Sequence, residues 1–178
     1  MSSDDMWGMR PTVPCAASRR LVDAAVAEAT AMCVPVTVVI VDESGVLKEM
    51  CRMDGAPQVS VQTAMSKAYA AAAIGIPPDD FYAAIEADAA AVASFAARPG
   101  MALIAGGLAL LADGQVAGAI GVAGAMTGAD DRRIAEAAIA ALASGIPGIG
   151  AARGCRDLAN GGRGAGHGFG EGHRAEGR

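Results

Sequence analysis

Aromatic residues make up only 3% of this 178-residue chain, although 53% of it is hydrophobic. The core cannot be built from rings, so alanine, valine and glycine must fill it through close backbone approach. Small side chains bury little area each, at about 25 cal/mol per Å², and burial in a homo-oligomer is the expected remedy. Histidine is rarer still. His167 and His173 are the only two, and both lie in a glycine-rich C-terminal stretch. Ser44, Ser60 and Ser66 therefore have no imidazole to activate them in the expected folded region, which excludes a Ser-His-Asp hydrolase. Cys15, Cys33, Cys51 and Cys155 show no CxxC spacing, so neither a metal site nor a disulfide framework is expected. Buried free thiols in a reducing compartment are the expectation. Net charge is -5 with no basic block in the expected domain, which argues against a nucleic-acid partner. No run of about 18 apolar residues occurs apart from alanine-rich helix and glycine-rich strand. Residues 1–10 lack the apolar region of a secretory signal. No membrane partner and a cytoplasmic location are expected.

Hydrophobic spacing and turn residues divide what remains. Residues 1–11 read as a flexible leader, 12–145 as one domain, and 146–178 as a disordered glycine, arginine and histidine tail, too polar to repay its ordering. Thr12 and Pro14 can open a helix, with Val22, Val26, Ala29 and Cys33 on one face. Pro35 ends it. A strand from Val36 to Val41, a turn at Glu43-Ser44-Gly45 and a strand from Val46 to Met53 follow. Neither face of that second strand is cleanly apolar, which places it at an edge or a subunit contact. Ser60 to Ala73 reads as a helix capped by Ser60. Pro77-Pro78-Asp79-Asp80 opens another, with acids suited to the helix dipole, and it continues to Ala97. Three short strands are expected over Met101 to Ile104, Leu108 to Ala112 and Val116 to Val122, the last two joined at Asp113-Gly114. A final helix runs from Asp130 to Leu142. Hairpins in place of crossovers make the fold α+β, an antiparallel five-stranded sheet packed by helices.

The stretches VVIVDESGVLKEMCRMDGA, Ser66-Lys67-Ala68, AGGLALLADGQVAGAIGVAGA and Asp130-Asp131 come in an order that resembles the GlcG/HbpS family over about residues 15–143. The resemblance implies a profilin-like domain that assembles as dimers or larger rings, in a family where several members bind heme or a corrinoid. The sequence departs from the family pattern at Ala105 and Ala109, where prolines are frequent, and at Ala123, where a serine is common. Heme iron takes imidazole, thiolate, thioether or phenolate ligands. With no histidine in the expected folded region, the candidates become Met, Cys, Tyr69 and Tyr82. The cofactor therefore stays open, and heme is weakened as a choice.

Charged residues collect in these motifs: Asp42, Arg52, Asp54, Lys67 and Asp131. Lys67 could donate a proton or anchor a carboxylate, and Asp54 or Asp131 could act as general base if burial raises its pKa. The bland alternative is an Arg52, Asp54 and Lys67 ion-pair network with Asp131 capping the last helix. Arg52, Met53, Gly106, Gly107 and Tyr82 are the expected ligand contacts. Gly118, Gly121, Gly124 and Gly128 do not match a GxGxxG phosphate loop, and close packing explains them better. Two functions result: a small-molecule binder, with heme or another tetrapyrrole as ligand, or a small cofactor-independent lyase or isomerase using lysine and aspartate.

Overall fold

The computed structural model describes residues 8–145. Trp7, Cys155, His167, His173 and the expected tail lie outside the described residues. The elements run α1 (Cys15–Ala31), β1 (Thr37–Asp42), β2 (Leu47–Arg52), α2 (Val59–Ile74), α3 (Pro78–Ile85), α4 (Ala89–Ala96), β3 (Gly107–Ala112), β4 (Gln115–Ala123) and α5 (Gly128–Gly145). Among the described residues the strands form one sheet of four, in the order β2-β1-β4-β3. Every pairing is antiparallel. The fold is α+β.

Alternation along the strands sends side chains to two faces. Val38, Ile40, Leu108, Leu110, Ile120 and Val122 meet Leu21, Ala25 and Ala29 of α1 and Ile134, Ala135 and Ala138 of α5. The opposite face is built from smaller groups: Val39, Val41, Ala119 and Ala123 against Ala64, Ala68, Ala71 and Ala72 of α2. Alanine suits α2 twice, through its helix propensity and because it lets the helix lie directly on the strands. A Cβ built on Gly121 would collide with the backbone oxygen of Ala64, and one on Gly107 with the carbonyl of Lys67. At these two glycines the backbone of the helix sits directly on the strands.

Local chemistry closes the turns. The Asp42 carboxylate accepts from the Ser44 and Val46 amides at 3.0 and 2.9 Å, folding the β1–β2 turn around it. Asp113 and Gly114 have φ of 50° and 76°, the left-handed pair that a two-residue hairpin requires. Thr127 caps α5, its hydroxyl accepting from the Asp130 amide at 3.1 Å.

Several expectations need correction. The sheet has four strands, because residues 101–104 form no strand and lead into β3 as a loop. The expected helix from Pro77 to Ala97 is interrupted. α3 ends at Ile85, and Asp88 caps a new helix by accepting from the Ala90 and Ala91 amides. Cys33 lies beyond α1 with φ of 56°, and both it and Cys15 are exposed, while Cys51 is half-buried. Ser60 is inside α2 and does not cap it. Its hydroxyl donates to the Pro57 carbonyl and meets the buried Thr37 hydroxyl at 2.7 Å, tying α2 to β1. The edge position expected for β2 is found, with Leu47 and Met50 exposed.

Candidate functional site

A buried ion pair sits where α2, the end of β4 and the start of α5 converge. Lys67 projects from the inner face of α2, and its Nζ donates to the Asp131 carboxylate at 2.6 Å and to the Val122 carbonyl at 3.0 Å. Lys67 is 2% exposed and Asp131 4%. The other Asp131 oxygen accepts from the Ala125 amide at 3.1 Å. Asp131 also lies in the first turn of α5, where the helix dipole favours negative charge. Burial nonetheless raises the Asp131 pKa, and the hydrogen bond and charge of Lys67 together with the Ala125 amide only partly oppose it.

Two glycines shape this junction. Gly106 has φ of 107°, and a Cβ there would stand 2.7 Å from the Val122 oxygen, 2.8 Å from Asp131 Cβ and 2.9 Å from Lys67 Nζ. Only a residue without a side chain lets the strand entrance approach the ion pair so closely. Gly107 meets the Lys67 backbone and lies near Pro78, the buried first residue of α3. The junction can hold a proton between two ionisable groups and present an ammonium beside bare backbone. It is closed to solvent as it stands.

The other candidates lie elsewhere. Arg52 is exposed, and its Nε and Nη2 both donate to the Ala56 carbonyl, at 3.0 and 2.6 Å. It is paired with Thr37 of β1, which pairs in turn with Ala123 of β4. Two strand spacings, about 10 Å, therefore separate its backbone from that of β4. Asp54 is exposed in the turn after β2. The expected network of Arg52, Asp54 and Lys67 does not form, because Lys67 is committed to Asp131. Asp131 does not cap its helix in the usual sense; its carboxylate reaches back to Ala125 and across to Lys67. Met53 packs against the α1 side of the core, and Tyr82 is 40% exposed on α3.

Arg132 escaped the sequence reading. It donates to Asp79 at 2.8 Å and to Asp80 at 2.9 Å on α3, and to Glu136 at 3.0 Å on its own helix. These carboxylates raise its pKa, and it in turn lowers that of Asp80. Its position next to Asp131, with an acidic pair opening another helix, was the available signal.

A model of the family described as haem degrading protein HbpS-like matches residues 13–140. The chain belongs to the HbpS-like family. Among curated proteins, an uncharacterised 15.0 kDa protein from the dhaT-dhaS intergenic region of Citrobacter freundii is 31% identical over 129 residues, which is 72% of this chain and 90% of that protein. Among solved structures, a double mutant of HbpS from Streptomyces reticuli is 28% identical with a TM-score of 0.71, covering 79% of this chain and 93% of its own. A PduOC:heme complex is 30% identical with a TM-score of 0.67, covering 73% and 94%. The ORFY protein of Klebsiella pneumoniae, 24% identical with a TM-score of 0.74 over 83% and 99%, shares the fold. Among the described residues, no helix is long and apolar enough to cross a membrane.

Proposed function

We propose that this HbpS-like protein binds a small organic molecule at the junction of Lys67, Asp131, Gly106 and Gly107, with a tetrapyrrole as the ligand class. The observation that carries the reading is the family match over residues 13–140, supported by the likeness to a chain crystallised with heme. An imidazole-held heme does not fit the described residues. The chain's histidines are His167 and His173, and the glycine pair is already in contact with Lys67 and Asp131. A tetrapyrrole held through its faces and edge, or an iron taking a thioether, thiolate or phenolate, does not meet that objection. Titration with hemin and with metal-free protoporphyrin is the test. Comparable affinity for both, within about tenfold, is the expected result. Binding of hemin alone would assign the affinity to an iron ligand, and failure of both to bind removes the tetrapyrrole reading.

The 2.6 Å contact between Lys67 and an aspartate of raised pKa favours a second reading, acid–base catalysis of a lyase or isomerase type on a compact organic substrate. Asp131 would accept a proton from carbon and Lys67 would return one. The expected signature is deuterium uptake next to the carbonyl of small keto acids, followed by NMR. It should be present in the wild type and lost in Lys67→Met; uptake that survives the substitution would end this reading. The exposed Leu47 and Met50 of edge strand β2 and the exposed Tyr69 of α2 support association with a second copy.

A further inference from the structure

α3 and α4 are the least anchored helices of the fold. Pro78 is the one residue α3 buries, and α4 buries none. The pair is closed on itself. Phe81 and Phe95 meet edge to face with centroids 4.9 Å apart, and the Arg98 guanidinium lies 4.9 Å from the Phe95 ring centre. Among the described residues, contacts at the start of α3 join this hairpin to the body. Pro78 packs beside Gly107, which touches the Lys67 backbone. Asp79 and Asp80 bind Arg132, the residue after Asp131 on α5.

The flanks of the hairpin are glycines in the left-handed region. Gly75 ends α2 with φ of 82°, and Gly100 follows α4 with φ of 73°. A Cβ at Gly100 would meet nothing within 4 Å, and one at Gly75 only the Val116 side chain at 3.5 Å. Neither position is crowded, and glycine at positive φ has the backbone freedom that a hinge requires.

We propose that α3 and α4 form a hinged cover over the Lys67–Asp131 junction, latched by Arg132. Partly exposed ion pairs are individually weak, so the latch can open while the sheet and its two helix layers stay intact. Release of Asp79 and Asp80 frees α3, Pro78 withdraws from Gly107, and the closed junction gains an entrance. The purpose of the cover rests on reading that junction as the working site. Its existence is measured without any ligand.

The sequence supplies its own control, since Lys48 and Lys67 are its only lysines. Lys48 is exposed on β2 and Lys67 is buried. Acetylation of the full chain by acetic anhydride, read by mass spectrometry, should modify Lys48 quickly and Lys67 slowly. Arg132→Ala should raise the Lys67 rate relative to Lys48 by about tenfold, the effect of losing one or two weak ion pairs. Hydrogen exchange should rise over residues 78–96 and stay unchanged in β1 and β4. The double variant Asp79→Asn, Asp80→Asn breaks the latch from the cover's side and should give the same result with α5 untouched. The proposal is overturned if Lys67 labelling stays at the wild-type rate in both variants, or rises only where β1 and β4 exchange rises with it. A chain that opens in this way yet binds neither hemin nor protoporphyrin would keep the cover and lose the tetrapyrrole reading.

Discussion

Lys67 and Asp131 are each tolerable in the interior only because of the other. Removing one partner of a buried pair strands the second charge, at a cost of about 3–5 kcal/mol. Lys67→Met should therefore destabilise the chain by about that much in urea denaturation. Asp131→Asn should cost less in the Lys67→Met background than in the wild type, because the two energies are coupled. The pH dependence has a definite sign. Burial raises the Asp131 pKa, so the folded chain holds this proton to a higher pH than the unfolded one. Between the ordinary aspartate value and the raised one, stability falls as pH rises. Asp80 acts oppositely. Its pKa is lowered by Arg132, and its contribution, present above the ordinary value, is lost as pH falls through the lowered one. Urea midpoints of Asp131→Asn across acidic pH should lose the first trend and keep the second.

At the scale of elements, the contact between α2 and β4 has no slack. Gly121→Ala would drive a Cβ into the Ala64 carbonyl and against Ala68. Because the obstacle is largely backbone, the helix must lift, and a loss of about 1–3 kcal/mol is expected, read as a lower thermal midpoint. Much of this layer could be read from the chain. Alanine at α2 spacing, glycines along β4, and the Asp113-Gly114 and Glu43-Ser44-Gly45 turns all carry local chemistry that states its own geometry. The apolar residues 101–104 misled because a short hydrophobic run does not distinguish a strand from a loop. The break after Ile85 was hidden because the alanines on either side of Asp88 favour helix equally, and only the capping carboxylate marks the restart. Lys67, Asp131 and the Gly106-Gly107 pair stood out as motif residues, and the fold brings them together. Arg52 and Asp54 stood out for the same reason and ended on the far side of β1. Charge within a motif does not reveal which strand order separates it from its partners. Arg132 shows the converse: an arginine among the polar residues of a helix looks ordinary until α3 is seen against it.

For the whole molecule, the open side of β2 is the place to test for association. Leu47 and Met50 are 44% and 41% exposed on a strand with a free edge, a surface that proteins seldom leave uncovered. If a second copy covers it, Leu47→Glu with Met50→Glu should lower the mass measured by light scattering, while the far-ultraviolet circular dichroism stays unchanged. An unaltered mass would place the contact elsewhere. The alanine and glycine layer under α2 has a thermal consequence as well. The heat capacity of unfolding follows the apolar surface newly wetted, and this layer has little to expose. The stability curve should be broad and shallow, so that cooling weakens this chain less than it would a ring-filled domain of equal length.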